Sequence, residues 1–400
     1  MRDAPVSGDE RPHSVVGVVG GGQLAQMLVD AATKREVVII VQTGSMDDPA
    51  ASRAAHLVKS KTNDISGTRK LAEKCDSLTF ENEWVDVDAL AQLEKDGARF
   101  VPSLAALGPL VNKLSQRQLL DDLDIPGPEW IHLSSKELSH SKLPVGWNFP
   151  LMAKSARGGY DGKGTRVIKD FEDLRQLFKE VDPNDWLLER WVSYEMELAL
   201  VASRDLHGRV RAFPIAQTNQ CHQVCDWVIA PAEVSHSVKA MAFNIAASLL
   251  TELDYVGVIA IEFFYGSKGL LVNEVAPRTH NSAHFSIEAC SSSQFDQQIC
   301  IAAGLPVSDP DMIVPGALMV NLLGLQEGLA SSLEDRLSKL KRINGVHLHW
   351  YQKGKEIPGR KLGHVTLLLY AEDAELRKKE ALEGLKNIRS IWPNIWAERV

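Results

Sequence analysis

The stretch 154–165 (KSARGGYDGKGT) constrains the fold of this 400-residue chain more than any other. An apolar run leads into it, and Val167 and Ile168 follow, so a strand, a loop and a second strand are predicted. Its glycines are Gly158, Gly159, Gly162 and Gly164. Glycine lets a backbone approach a ligand closely and adopt positive φ, so such a loop can fold over phosphates and offer its amides.

Positive charge accompanies these glycines. Lys154, Arg157 and Lys163 lie in the same stretch, which favours an anionic ligand over the alternative of an ordinary glycine-rich hairpin. A Walker phosphate loop is excluded because its lysine-serine/threonine ending and the helix that follows are absent.

Length and composition limit the class of protein. The chain is longer than one hydrophobic core usually serves, so two or three domains are expected. The net charge is −8, which argues against nucleic acid as a partner. No apolar run reaches membrane-spanning length, and residues 1–13 are polar, so they are predicted to be a flexible leader rather than a signal peptide. Five cysteines form neither a paired framework nor a zinc pattern, and a cytoplasmic protein is expected.

The first unit begins with a strand, a glycine turn and a helix. Its turn matches the dinucleotide pattern G-x-G-x-x-A at Gly20, Gly22 and Ala25. The second strand ends in Gln42 and Thr43, where an NAD site needs an acidic residue. A small anionic ligand at the helix N-terminus is therefore preferred to NAD, which stays an alternative. Glu81 and Glu83 follow a third apolar run and are expected to face the ligand crevice, unless they are solvated loop acids.

Two later strands are predicted to be neighbours, and each carries an acidic residue that faces the other if the register permits. Glu262 lies near the end of the first strand and Glu274 near the end of the second, after a short glycine turn. Together with a carbonyl oxygen of Asn273 they would form an oxygen site suited to magnesium carrying nucleotide phosphates. The alternative is a pair of solvent-facing acids, but the apolar flanks predict a buried sheet, where unpaired carboxylates are costly.

Hydrogen-bond donors follow directly. Arg278, His280 and Asn281 crowd into a short segment, which suits anion capture. Zinc binding by His280 and His284 is a weaker alternative, because Pro277 argues against a helix there. Near the C-terminus, four basic residues cluster around a Pro-Gly turn: Lys353, Arg360, Lys361 and His364. The alternative to a functional cluster is an ordinary solvated turn. The predicted divisions of the chain are 1–13, 14–110, 111–311 and a β-rich 312–400.

The following segments together resemble one family: GGGQLAQM, TFENEW, NKLSQRQLLDDLDIP, AKSARGGYDGKG, LLERWVSYEMEL, NEVAPRTHNSAH and GRKLGHV. Over about residues 14 to 370 the chain is similar to the 5-(carboxyamino)imidazole ribonucleotide synthases, ATP-grasp enzymes of purine biosynthesis. The resemblance implies an ATP-grasp fold of the α/β and α+β classes, with a Rossmann-like N-terminal domain and a small β-rich C-terminal domain. It implies a ligase that converts ATP, bicarbonate and 5-aminoimidazole ribonucleotide through carboxyphosphate, with Mg²⁺ or Mn²⁺, as a homodimer.

The resemblance also implies roles for individual residues. The ATP site would comprise Lys113, Lys154, Gly158, Gly159, Tyr160, Asp161, Gly162, Lys163, Gly164, Glu189, Arg190, Trp191, Val192, Glu197, His222, Asn273 and Glu274. The metal ligands would be Glu262 and Glu274. The catalytic residues would be Tyr160, Asp161 and the bicarbonate-binding Arg278, His280 and Asn281. The ribonucleotide would contact Gln23, Leu24, Glu81, Tyr160, Asp161, Lys353 and Arg360.

This sequence departs from the family pattern in places. Ala283 stands where the family usually has glycine, and the segments 221–227 and 291–299 look atypical, which leaves the role of His222 open. Two other interpretations remain: another ATP-grasp carboxylase or ligase, such as the formate-using purine transformylase, and an NAD-binding protein that shares only the first unit.

Overall fold

The computed structural model describes residues 14–159, 164–325, 332–354 and 356–396. The predicted leader and four of the predicted site residues, Tyr160, Asp161, Gly162 and Lys163, lie outside the described residues. Within the described ranges, no helix is both long enough and apolar enough to cross a membrane.

The N-terminal unit is a four-stranded parallel sheet in the order β3-β2-β1-β4. Its elements are β1 (Val15–Val19), α1 (Gln23–Thr33), β2 (Val38–Thr43), β3 (His56–Lys59), α2 (Ile65–Ala72), β4 (Ser77–Phe80), α3 (Val87–Lys95) and α4 (Leu104–Leu107). Strands β1 and β2 are apolar runs that are buried almost throughout, as expected of parallel strands covered on both faces. Glu81 follows the carboxyl end of β4 directly.

A small antiparallel sheet carries the glycine-rich loop. Its elements are α5 (Lys113–Asp122), β5 (Trp130–His132), β6 (Leu151–Ser155), β7 (Thr165–Ile168), α6 (Phe171–Glu180) and β8 (Trp186–Arg190), with the strand order β5-β8-β6-β7. Lys154 pairs with Thr165 across β6 and β7, which confirms the prediction of two strands flanking the loop.

The remaining strands form one sheet of nine. They are β9 (Met196–Arg204), β10 (Val210–Ala212), β11 (Ala216–Cys221), β12 (Val224–Ala230), β13 (Gly257–Gly266), β14 (Gly269–Ala276), β15 (Gly316–Leu323), β16 (Val346–Trp350) and β17 (Lys361–Leu369). The helices around it are α7 (His236–Glu252), α8 (Ser286–Ala289), α9 (Gln294–Ala303), α10 (Leu333–Lys341) and α11 (Ala374–Ile391). Strand β15 pairs with β12, so the C-terminal strands extend this sheet instead of forming one of their own.

Helix α9 fixes the N-terminal unit to this sheet. The Gln298 side chain donates to Thr79 Oγ1 at 2.9 Å and to the carbonyl of Val101 at 3.2 Å, and it accepts from the Val258 amide at 2.8 Å. Phe295 and Ile299 on the same helix belong to the buried core that includes the residues of β1 and α1. These contacts hold the carboxyl end of β4 beside β13 and β14, where the acidic pair lies.

Candidate active site

Glu262 and Glu274 are direct partners in the antiparallel register of β13 and β14, which confirms the prediction that they face each other. A register shift follows Glu262. The Lys113 ammonium at the start of α5 makes an ion pair with Glu274. His280 Nε2 lies 3.7 Å from Glu262 Oε1 on the other side. The acidic pair thus lies next to Lys113, which is predicted to bind ATP, and to His280 of the predicted anion-binding segment.

The two carboxyl groups differ in their proton affinity. Burial raises the pKa of Glu262 to about 7, and the negative charges of Glu274 and Glu197 act in the same direction. Burial also acts to raise the pKa of Glu274, but the Lys113 ammonium and its hydrogen bond outweigh it, and this pKa falls to about 2. At neutral pH Glu274 is therefore ionised, while Glu262 is partly protonated.

The two carboxyl groups could serve as ligands for a divalent metal ion that arrives together with a nucleotide. In the described part of the chain, no group of three or more His, Cys, Asp or Glu side chains is arranged to hold a metal ion. Magnesium is usually bound by only one or two carboxylates, with phosphate oxygens and waters completing the shell. Two adjacent half-buried carboxyls, one with a raised pKa, match that donor set.

Asn273 has a different role from the predicted one. The sequence suggests a metal-facing carbonyl oxygen, whereas here the side-chain oxygen accepts a hydrogen bond from Lys154 Nζ at 2.9 Å and the backbone oxygen accepts one from Arg117 Nη2 at 2.7 Å. The Glu189 carboxylate, only 2% exposed, joins both cations: Lys154 Nζ lies at 2.8 Å and Arg117 Nη2 at 2.6 Å. This buried network fixes the lysine of β6 against β14.

The predicted ATP-site residues Glu189 to Val192 span the end of a strand. Strand β8 ends at Arg190, whose guanidinium binds Glu129, and Trp191 and Val192 continue as irregular backbone. The Glu189 side chain points into the buried network, so it supports Lys154 instead of facing a base. Glu197, at the start of β9, is close enough to Glu262 to raise its pKa, so it borders the acidic pair.

His222 and Gln223 form the tip of the β11–β12 hairpin, with positive φ values of 49° and 64°. Gln223 contacts the Thr165 hydroxyl, directly after the glycine-rich loop. The His222 ring packs against Trp396 with the two ring planes tilted by 35° and 5.3 Å between ring centroids. The tip of this hairpin therefore lies beside Thr165 of β7, and the contact of His222 with the nucleotide stays a prediction.

Arg278 follows β14 and pairs with Glu83 from the N-terminal unit. Its Nη2 lies 3.2 Å from the second carboxylate oxygen of Glu83, and its Nη1 donates to the carbonyl of Thr279 at 3.1 Å. Burial would raise the pKa of Glu83, but the Arg278 charge lowers it, so this carboxylate is ionised. Glu83 is thus a partner of the predicted anion-binding arginine, a role that sequence reasoning missed.

His280 is neutral and its tautomer is defined. Burial lowers its pKa to about 3, assisted by the charges of Arg278 and Lys361. The Ser282 amide lies 3.3 Å from His280 Nδ1, which therefore accepts, and the proton is on Nε2. Gln294 holds the His280 backbone through two hydrogen bonds of 2.7 Å. The Nε2–H group faces Glu262, so His280 can donate a hydrogen bond to an anion at the acidic pair.

The N-terminus of α1 is occupied by a side chain of the protein itself. Glu81 Oε2 accepts from the Gly22 amide at 2.8 Å, and the Leu24 amide also contacts this carboxyl. A Cβ at Gly22 would clash with the Glu81 carboxyl, so a larger residue there would displace this side chain from the helix N-terminus. The small anion predicted at this helix end is therefore replaced by Glu81, next to Gln23 and Leu24.

The C-terminal basic cluster is divided between two places. Lys353 Nζ donates to the carbonyl of Lys361 at 2.8 Å, and Arg360 is exposed just before β17. The Lys361 charge acts on Glu262 and His280, so this lysine lies near the acidic pair. His364 does not belong to the turn, contrary to prediction: it is buried in β17 and its Nδ1 lies 2.7 Å from the Tyr351 hydroxyl.

Three family models match the chain in the order of its units. The ribonucleotide synthetase preATP-grasp domain covers residues 14–108, the ATP-grasp domain 118–295 and the phosphoribosylaminoimidazole carboxylase C-terminal domain 317–379. The N5-carboxyaminoimidazole ribonucleotide synthase of Synechococcus elongatus is 43% identical over 96% of this chain and 96% of its own length. The chain belongs to the N5-carboxyaminoimidazole ribonucleotide synthase family. It is an ATP-grasp ligase of purine biosynthesis, as the resemblance implies.

Other synthases agree with this assignment. The Bacillus subtilis enzyme is 34% identical, with 96% of both chains covered. The Aspergillus clavatus synthase complexed with ATP superposes with a TM-score of 0.85 at 29% identity, over 95% of this chain and 99% of that one. The complex of the A. clavatus synthase with ADP and 5-aminoimidazole ribonucleotide gives 0.82 at 28% identity, over 94% and 100%. Family membership decides against the transformylase and NAD-binding alternatives.

Proposed function

We propose that this synthase carboxylates 5-aminoimidazole ribonucleotide with bicarbonate at the expense of ATP, giving 5-(carboxyamino)imidazole ribonucleotide, ADP and phosphate in the cytoplasm. The observation that carries the proposal is the position of the Glu262–Glu274 pair between Lys113 and His280. A nucleotide held by the lysines would place its terminal phosphate beside an anion held by the histidine. The relatives support the choice of substrates.

The ATP end of the site is built around fixed cations. Lys113 and Lys154 would contact phosphate oxygens, and the backbone of Trp191 and Val192 would contact adenine. Glu262 and Glu274 would hold Mg²⁺ or Mn²⁺, which when bound neutralises charge that develops on the transferred phosphoryl group. Because buried Glu189 and Asn273 anchor Lys154, its ammonium is positioned before the nucleotide arrives.

The bicarbonate end supplies hydrogen-bond donors. His280 Nε2–H would donate to a bicarbonate oxygen, while Arg278 and Lys361 supply positive charge. A bicarbonate oxygen attacks the γ-phosphorus, the bond to the ADP oxygen breaks, and carboxyphosphate forms. The exocyclic amine of the ribonucleotide then captures its carbon, or the carbon dioxide released from it, and phosphate leaves. Because water would hydrolyse carboxyphosphate, the site has to exclude water during the reaction.

The ribonucleotide would lie between the N-terminal and C-terminal units. Glu81 offers acceptor oxygens at the N-terminus of α1, next to Gln23 and Leu24. A carboxylate there suits ribose hydroxyls better than phosphate. Lys353 and Arg360 would hold the 5′-phosphate as a pair of cations. Tyr160 and Asp161 would complete the site, with Asp161 orienting or deprotonating the amine. A homodimer is proposed from the resemblance.

The test is substrate-dependent phosphate release. Release should require ATP, ribonucleotide and bicarbonate together, and ¹³C-labelled bicarbonate should give a carbamate carbon signal in NMR. Replacing bicarbonate with formate should stop turnover. Phosphate release that is supported by formate, or that proceeds without ribonucleotide at the full rate, would contradict the proposal.

A further inference from the structure

Asn321 on β15 is completely buried and bonds to two other elements. Its Nδ2 donates to the carbonyl of Cys225 on β12 at 2.8 Å and to Asn281 Oδ1 at 2.7 Å. Its own Oδ1 accepts from Asn281 Nδ2 at 3.0 Å. The two side-chain amides thus make a closed, reciprocal pair whose orientation is fixed by the Cys225 carbonyl.

The pair secures the turn that carries His280. Asn281 begins the short 3₁₀ turn Asn281–Ala283, and the amide of Ser282 in that turn fixes the His280 tautomer. Asn281 is only 9% exposed, and both polar atoms of its side-chain amide already bond to Asn321. An amide with both ends engaged serves to hold the turn more readily than to bind a substrate directly.

We propose that Asn321 is a positioning residue for the bicarbonate half of the reaction. It holds Asn281, and through Asn281 the turn that directs His280 Nε2–H at Glu262. The inference rests on the proposed function of His280. Loss of Asn321 therefore raises the KM for bicarbonate and leaves the KM for ATP unchanged, because Lys113 and Lys154 are held by a separate network.

The test compares Asn321→Asp and Asn321→Ser with a matched buried change. Aspartate keeps the shape of the Asn321 side chain but places an oxygen against the Cys225 carbonyl. Serine keeps one hydrogen-bond donor but cannot form the reciprocal amide pair with Asn281. Both should raise the KM for bicarbonate at least about tenfold. Thr68→Val removes a comparable buried bond, of 2.9 Å to Gln42 in the N-terminal unit, and should lower stability while leaving the KM for bicarbonate unchanged.

A mutant cycle with Asn281→Ala separates positioning from general destabilisation. If Asn321 acts through Asn281, the double variant Asn281→Ala/Asn321→Ser should have the same KM for bicarbonate as Asn281→Ala alone. Additive effects, or a normal bicarbonate KM in a folded Asn321 variant, would overturn the inference. A wild-type protein that turns over without bicarbonate would instead overturn the proposed function itself.

Discussion

Glu262 and Glu274 occupy opposite positions in one strand pair, yet their pKa values move in opposite directions, to about 7 and about 2. Burial is the largest influence on both, and the Lys113 ammonium beside Glu274 makes the difference. One carboxyl is therefore fully ionised at neutral pH, while the other is partly protonated until more positive charge arrives. Such a pair is suited to receive a cation together with a nucleotide.

The first prediction concerns these two acids. Glu274→Gln should abolish ATP turnover, and Glu262→Gln should reduce it at least about a hundredfold, because metal assistance in such sites contributes several kcal/mol. The measurement is phosphate release as a function of magnesium concentration. Glu252→Gln, an exposed change on α7, is the matched control and should behave as wild type. Wild-type turnover at low magnesium in either site variant would rule out the metal assignment.

The second prediction concerns the buried Arg117. Arg117→Met should lower the free energy of unfolding by about 3–5 kcal/mol, since it leaves Glu189 buried with one cation fewer. It should also weaken ADP binding, because Lys154 loses its fixed partner. Urea unfolding and calorimetry with ADP measure the two effects. Arg175→Met on the exposed face of α6 should change neither, and full ADP affinity in Arg117→Met would show that Lys154 needs no such support.

The third prediction separates phosphate anchoring from ATP binding. Arg360 is exposed and lies in the C-terminal segment, away from Lys154. Arg360→Ala should raise the KM for the ribonucleotide roughly ten- to a hundredfold, because charged hydrogen bonds contribute about 1.5–3 kcal/mol each. The KM for ATP should stay within about twofold, and Lys386→Ala on α11 serves as the control. The opposite pattern, with ATP weakened and the ribonucleotide unaffected, would remove Arg360 from the substrate site.

The fourth prediction is a loss of stability in mild acid. Burial lowers the pKa of His284 and of His364 well below the ordinary 6.5. Their rings lie 4.8 Å apart, and His349 with its partner Glu288 packs against the same group. The unfolded chain therefore binds more protons than the folded one below pH 6.5, and stability falls as the pH decreases through that value, by about 1.4 kcal/mol per pH unit for each histidine.

Urea unfolding between about pH 5 and 7.5 measures this slope. His284→Gln and His364→Gln should each flatten it, even if they lower stability at neutral pH. His56→Gln, an exposed change on β3, should leave the slope intact. Identical slopes in wild type and in both buried variants would show that these histidines do not govern acid sensitivity.

Local patterns predict the parts of the site that are close in sequence. The register shift after Glu262 makes Glu262 and Glu274 direct partners, but two apolar strands joined by a short glycine turn predict only that these acids lie on neighbouring strands. The strands around the glycine-rich loop follow in the same way. Each involves neighbours whose geometry is set by periodicity and turn chemistry.

Long-range partnerships were not accessible in this way. Glu83 pairs with Arg278, 195 residues later in the chain, and no periodicity connects them. Asn321 joins Asn281 across 40 residues, and a single asparagine in an apolar strand carries no signal of its partner. The same holds for His364, which sequence reasoning placed in a basic turn although its neighbours in β17 are buried.

The backbone pairing of β12 with β15 limits which parts of the protein can move apart. Trp227 to Ala230 pair with Ala317 to Val320, so one continuous wall extends from the acidic pair to the strand that follows Arg360. Parting that wall would break a ladder of backbone bonds in a buried sheet. Among the described residues, the small sheet of β5 to β8 pairs with no strand of that wall, and side-chain bonds such as that from Lys154 to Asn273 join the two. A displacement of the small sheet would therefore exchange side-chain bonds such as that of Lys154, whereas the nine-stranded wall would have to lose backbone bonds.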